Sequence, residues 1–204
     1  MKTYITSNVL KASVHCAAKK DTRYYLCGVL FAFKHGVFSK LEIVSTDGHV
    51  LSAFGIPLDY VDNAQTADFE FIIPIDAIKL AIKGSAKRDA LILESLPDGR
   101  YVLGDTIFSP IDGKFPDYRR VIPRSNQSDS EKPLNFDVDI LDKAQSAMRD
   151  FFRKPDGVYT VTHKSGAGIM HNGTNDAVCV VMPIREYDCA YQDFYTVEPL
   201  SKAA

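Results

Sequence analysis

Apolar residues along this chain recur with two spacings, and the two alternate in the same order three times. Thr3–Thr6 reads as a short strand. Leu10, Val14 and Ala17/Ala18 then repeat at i, i+4 and i+7/8, the stripe of a helix that Asn8 is placed to cap. Lys11, His15 and Lys19 fall together on another face of that helix. A strongly apolar strand is expected at Tyr24–Phe33. Leu41–Ser45 and Val50–Ile56 follow, joined by a hairpin turn at Thr46-Asp47-Gly48-His49 in which Asp-Gly supplies the positive φ angles.

The order restarts at Phe69. Phe69–Pro74 predicts a strand, and Ile75, Ile78 and Ile82 the stripe of a short helix with Lys79 and Lys83 on its far side and Gly84 at its end. Ala90–Leu96 and Arg100–Ser109 read as strands joined through Pro97-Asp98-Gly99. A third round predicts a strand at Leu134–Val138, a helix with Leu141, Ala144, Met148 and Phe151/Phe152 in one stripe, and strands at Gly157–His163, Gly168–Asn172 and Ala177–Pro183. Each unit of roughly 55–60 residues is thus strand, helix, then two or three strands, an α+β pattern. The helix buries its apolar face on antiparallel strands and turns its lysines away from them. The expected division is a complete domain at 1–123 (units 1–66 and 67–123), a polar linker at 124–133, a half domain at 134–185 and a tail at 186–204.

Composition changes this picture little and charge changes it more. With 204 residues, 46% hydrophobic and 25% charged, the chain can bury a sizeable core. No apolar run approaches the ~20 residues that span a membrane, and the start carries no signal-peptide core, so a cytoplasmic protein without a membrane partner is expected. Cys16, Cys27, Cys179 and Cys189 lack metal spacing and read as reduced thiols, two of them in core positions. The net charge of −2 argues against a simple basic nucleic-acid binder, but residues 8–20 and residues 75–88 each carry +3, which leaves −8 for the remainder. The basic residues concerned include Lys11, Lys19, Lys20, Lys79, Lys83, Lys87 and Arg88. Such a protein is acidic outside and basic on one face.

One segment fits none of the periods. Gly113–Pro123 has a freeing glycine and two prolines that forbid helix, so it reads as extended chain leaving a turn, with Asp117, Tyr118, Arg119 and Arg120 between apolar ends. By physics alone it is an ordinary linker strand. Its wording, however, closely resembles the signature that ends the middle domain of the bacterial DNA polymerase III beta sliding clamp family. Two other stretches resemble the same family in the same order. One is Arg23-Tyr24-Tyr25-Leu26-Cys27-Gly28-Val29-Leu30-Phe31 with Thr46-Asp47-Gly48-His49, and the other is Val180-Val181-Met182-Pro183-Ile184-Arg185. The resemblance runs from about Ile5 to Arg185.

That resemblance implies the DNA-clamp fold, with outer antiparallel sheets and basic helices facing duplex DNA. It aligns the chain with the middle domain followed by the second half of the last one. It implies a non-catalytic processivity factor without cofactor or metal, whose partners are duplex DNA without sequence preference, a DNA polymerase and other proteins carrying clamp-binding peptides, and a clamp loader. The family's peptide pocket maps onto Leu26, Thr46, Gly48, His49, Leu51, Pro116, Arg120, Val121, Val180, Met182 and Pro183, with Tyr25, Asp137 and Ile140 bordering a second part of the groove. Val50 stands where arginine is usual, Ile140 where tyrosine is common and Ile184 where methionine is. The DNA-facing residues map onto Lys20, Tyr24 and Tyr25, to which Lys19 and Arg23 add phosphate-pairing charge.

Other readings compete with it. An adaptor or decoy derived from such a clamp would bind the same peptides without encircling DNA. A hydrolase centred on Asp47 and His49 is a third class, although the Asp-Gly turn explains Asp47 without chemistry. Three units are an odd count, so self-association is expected. It would be either four chains head to tail in a ring of twelve units or a dimer, and a compact clamp of this kind fits a phage or mobile element.

Overall fold

The computed structural model describes residues 1–35, 39–58, 60–62, 67–84, 88–123, 135–154, 160–164, 166–174 and 176–184. The first unit comprises β1 (Lys2–Thr6), α1 (Ser7–Val14), β2 (Gly28–Lys34), β3 (Lys40–Thr46), β4 (Val50–Pro57) and β5 (Tyr60–Asp62). The second comprises β6 (Phe69–Pro74), α2 (Ile75–Gly84), β7 (Ala90–Ser95), β8 (Tyr101–Leu103) and β9 (Thr106–Phe108). The third comprises α3 (Val138–Phe152), β10 (Thr160–Lys164), β11 (Ala167–His171) and β12 (Ala177–Val181).

The first two units exchange their opening strands. β1 pairs antiparallel with β7, from Lys2↔Glu94 to Thr6↔Ala90, and β6 pairs with β2, from Gly28↔Pro74 to Phe33↔Phe69. One sheet therefore runs β5-β1-β7-β8-β9 and the other β10-β11-β12-β4-β3-β2-β6. Gly28 permits the second exchange: a Cβ there would lie 2.4 Å from Ile72 Cγ2 and 2.9 Å from the Ile73 carbonyl oxygen. The third unit continues the larger sheet, β12 pairing with β4 from Ala177↔Phe54 to Val181↔Val50.

Strand β2 is apolar without alternation because both of its faces are covered. Val29, Phe31 and Phe33 join the core beneath the helices, with Leu10, Ile78 and Met148. Leu30 and Ala32 join a second cluster on the opposite face, with Phe115 and Tyr118. The helices themselves pack side by side, α1 against both α2 and α3. The amide of Asn8 donates to the Phe151 carbonyl at 2.6 Å, His15 Nε2 meets Asp150 Oδ2 at 2.8 Å, and the Phe54 and Phe151 rings stack at 4.6 Å.

Several expected details differ. Asn8 does not cap α1; Thr6 occupies that position without a side-chain bond, and Asn8 is spent on α3. Helix α1 ends at Val14, so Lys19 and Lys20 lie beyond it and not on its face with Lys11. A short 3₁₀ turn, Tyr24–Cys27, takes the start of the expected first long strand. The expected strand Arg100–Ser109 is folded on itself as β8 and β9 about Gly104 (φ 60°). Leu134 is outside the described residues, as is the linker 124–133; of the strand expected there, one bridge, Asn135↔Ile184, is present before α3 begins. Gly113–Pro123 forms no strand; it carries one 3₁₀ turn, Tyr118–Arg120, which Val121 closes in a helical conformation.

Candidate peptide pocket and basic face

The β3–β4 turn is built by its own side chains. Gly48 takes φ 95°, Thr46 Oγ1 donates to the Val50 carbonyl at 2.7 Å, and Asp47 Oδ1 accepts from the backbone N–H groups of His49 and Val50 at 2.9 and 3.0 Å. The other Asp47 oxygen accepts from Lys143 Nζ at 2.7 Å, which ties α3 to the turn. Burial pushes this carboxyl up, but the bonds from Lys143, His49 and Val50 outweigh it and hold Asp47 below the usual carboxylate range. Met182 N–H donates to the His49 carbonyl at 2.9 Å and fixes the end of β12 beside the same turn.

Beside this turn lies a cavity of about 210 Å³. The first unit lines it with Arg23, Leu26, Thr46, Gly48, His49, Val50 and Leu51. The segment closing the second unit adds Pro116, Tyr118 and Val121, and the third unit adds Val180 and Met182. All three units therefore meet at one apolar slot. Its wall is braced by Glu42, which accepts from Tyr118 Oη at 2.5 Å and pairs with Lys40 at 2.6 Å and with Arg119. Burial, then the bond to Glu42, pushes the Tyr118 phenol well up, so it stays a neutral donor.

Nine of the expected pocket residues line this cavity, from Leu26 to Met182. Arg120 and Pro183 adjoin it in sequence without lining it. Asp137 is the N-cap of α3, accepting from Asp139 N–H at 2.8 Å, and Ile140 packs half-buried against the helix-side core. Tyr25 is half-buried with Tyr24 over Gly113, whose added Cβ would sit 3.2 Å from Tyr25 Cβ. Sequence reasoning missed Tyr118 as a lining residue, although the Phe115-x-x-Tyr118 spacing within an otherwise polar stretch was its signal.

The basic residues divide. Lys11 and Lys79 are exposed at the same position of α1 and α2, the fifth residue of each, and Lys83, Lys19, Lys20 and Tyr24 are exposed as well. Arg23, expected as a phosphate partner, is instead held by Asp21 through two bonds, at 3.0 and 2.8 Å, and lines the pocket. That bond from Arg23 brings the Asp21 carboxyl down to about 2. Arg88 pairs with Asp105 at 3.1 Å, and Lys87 lies outside the described residues. A wider cleft of about 630 Å³ shares Arg23 and His49 with the pocket and brings together Lys19, Lys20, His15 and Lys143.

Helices side by side beneath antiparallel sheets, with first strands exchanged between units, define a protein of the DNA-clamp fold. A crystal structure of the DNA polymerase sliding clamp from Pseudomonas aeruginosa superposes with a TM-score of 0.68 over 91% of this chain and 67% of that one, at 19% identity, which bears on the fold alone. In sequence, too, the chain is similar to beta sliding clamps. It is 32% identical over 142 residues to the beta sliding clamp of Salmonella typhimurium and 30% identical over 142 residues to that of Escherichia coli K12. Each alignment takes in 67% of this chain and 35% of the relative, so the chain spans about a third of the length of the curated relatives it matches. A scan against protein-family models finds no match.

Proposed function

We propose that this chain works as a DNA sliding clamp, a non-catalytic processivity factor that tethers a DNA polymerase to duplex DNA. The observation that carries the proposal is the apolar cavity at the junction of three units, lined by Leu26, Leu51, Val121, Val180 and Met182. Its size and lining suit leucine and phenylalanine anchors of a partner's peptide, while His49 and Arg23 at the rim offer polar contacts. The duplex meets the helix face, where Lys11, Lys79 and Lys83 supply charge for phosphates, and Lys19, Lys20 and Tyr24 extend it; contacts of this kind carry no sequence information and suit sliding. A polymerase and other proteins with clamp-binding peptides share the pocket, and a clamp loader is the expected means of placement on DNA. A catalytic role for Asp47 is disfavoured by the bonds from His49, Val50 and Lys143 that occupy both of its oxygens.

The test is topological. Loaded protein should stay on a closed circular duplex and leave when the circle is cut, because only an encircling protein runs off free ends. Equal loss from both would reject the clamp and leave a peptide-binding adaptor.

A further inference from the structure

Two thiols that neither the pocket nor the basic face uses meet inside the joint where the third unit packs on the first, β12 on β4 and α3 on α1. Cys16 and Cys179 are both fully buried and belong to the core beneath the helices. The first unit supplies Cys16, in the stretch just beyond α1. Cys179 stands in the middle of β12, opposite Ser52 of β4, and its thiol donates to the Ala144 carbonyl of α3 at 3.8 Å. The two thiols hydrogen-bond to each other.

The neighbours of each cysteine bring the same elements together. His15, next to Cys16, meets Asp150 Oδ2 of α3 at 2.8 Å. His15 and Ala17 also line one cleft with Lys143, which precedes Ala144. Residues far apart in the chain are thus adjacent in space, one on each side of the joint. A small aliphatic side chain would fill either place as well, so two thiols in contact add a chemistry that packing does not need. Cys27 does not share it, because it is half-buried against the cluster on the opposite face of the sheet.

In the closed joint that chemistry is idle. The bond to Cys16, then burial, pushes the Cys179 thiol well up, so it stays protonated. Neither side chain has surface that an oxidant could reach. Opening the joint removes both restraints. What keeps it shut is non-covalent: the β4–β12 ladder, the Lys143–Asp47 pair and the His15–Asp150 pair.

We propose that Cys16 and Cys179 are a redox latch: when the joint opens to a small disulfide such as oxidised glutathione, they form a disulfide that ties the third unit covalently to the first. The exchange balances without a further reactant. One cysteine thiolate attacks a sulfur of oxidised glutathione, which forms a mixed disulfide and releases one glutathione thiolate. The second cysteine thiolate attacks the protein sulfur of that mixed disulfide, its bond to glutathione breaks, and the second glutathione leaves. The two cysteine protons end on the two glutathiones, and excess reduced glutathione runs the steps backward. Once closed, the latch holds the pocket wall of Val180 and Met182 against that of Leu26 and Leu51. It needs only the joint, and its closing is measured without DNA or peptide.

Reduced protein incubated with excess oxidised glutathione, then digested without reductant, should yield a linked peptide pair joining Cys16 to Cys179, lighter by two hydrogens than the separate peptides. A chain with Cys27→Ala and Cys189→Ala keeps only this pair. Its oxidation should raise Tm by about 5–15 °C, and dithiothreitol should reverse the rise. Lys143→Met in that chain loosens the joint and should speed oxidation roughly 5- to 30-fold. No Cys16–Cys179 link in the unsubstituted protein at equilibrium overturns the proposal, and so does a linked protein that melts lower. An oxidation rate that Lys143→Met leaves unchanged overturns the opening step.

Discussion

Lys143→Met is the substitution that best tests how the third unit is held. The ammonium is partly exposed, but the Asp47 side chain it meets retains only 13% of its accessible surface. The pair thus stands between a surface ion pair, worth up to about 1 kcal/mol, and a buried one, whose breaking costs about 3–5 kcal/mol. Methionine keeps most of the packing volume and removes the charge. Asp47 keeps its two backbone donors, so we expect a loss of about 1–2 kcal/mol, a fall in Tm of roughly 2–8 °C for a chain of this size. The sign of the pH dependence follows from the lowered carboxyl. As pH falls, the unfolded chain takes up the Asp47 proton before the folded one does. The wild-type advantage is therefore fully present above the unfolded value of roughly 3.9 and fades as pH drops through the folded one. Urea unfolding of both proteins from neutral pH downward measures it, and the Asp47→Asn background should abolish the difference at every pH. An unchanged cost in that background would show that Lys143 acts through something other than this carboxylate.

Two further outcomes bear on the proposed surfaces. Met182→Ala, at a half-buried position, should weaken binding of a Gln-x-x-Leu-x-Phe peptide by about 1–2 kcal/mol, roughly 5- to 30-fold in Kd, with little change in fold stability; fluorescence anisotropy giving wild-type affinity would remove Met182 from the binding slot. Lys11→Glu with Lys79→Glu reverses the two matched exposed positions of α1 and α2. It should weaken duplex binding and flatten its salt dependence while sparing the peptide, and an unchanged salt slope would place the duplex elsewhere.

What could be read from the chain was local. Period-2 and period-3.6 patterns located the strands and helices, and Asp47-Gly48 located its turn, because those signals lie within a few residues of one another. The exchange of β1 and β6 joins residues far apart in the chain (Lys2 with Glu94, Gly28 with Pro74), and no pattern in either strand encodes its partner. The early end of α1 was missed because Ala17 and Ala18 continue the apolar spacing, although they are buried by the chain beyond the helix. Asn8 has the chemistry of a cap, and only the arrival of α3 spends its amide elsewhere. Arg23 is expected at phosphate for its charge, yet Asp21 two residues earlier is in plain view as a partner.

The pocket residues were named by resemblance, but their convergence has a cause that the motifs do not contain. Leu51 and Val180 stand directly opposite each other in the β4–β12 ladder, and both face the slot. A slip of one residue in that ladder would turn Val180 to the helix side and bring a residue of the other face into the wall. The register is held from both faces. Cys179 and Val181 are buried toward the helices, Met182 N–H is fastened to the His49 carbonyl, and Lys143 reaches over to Asp47 in the same turn. The slot therefore exists because the third unit is locked onto the first in a single register, and the contacts that lock it are those of a sheet and a pair of helices, with the turn as their common anchor.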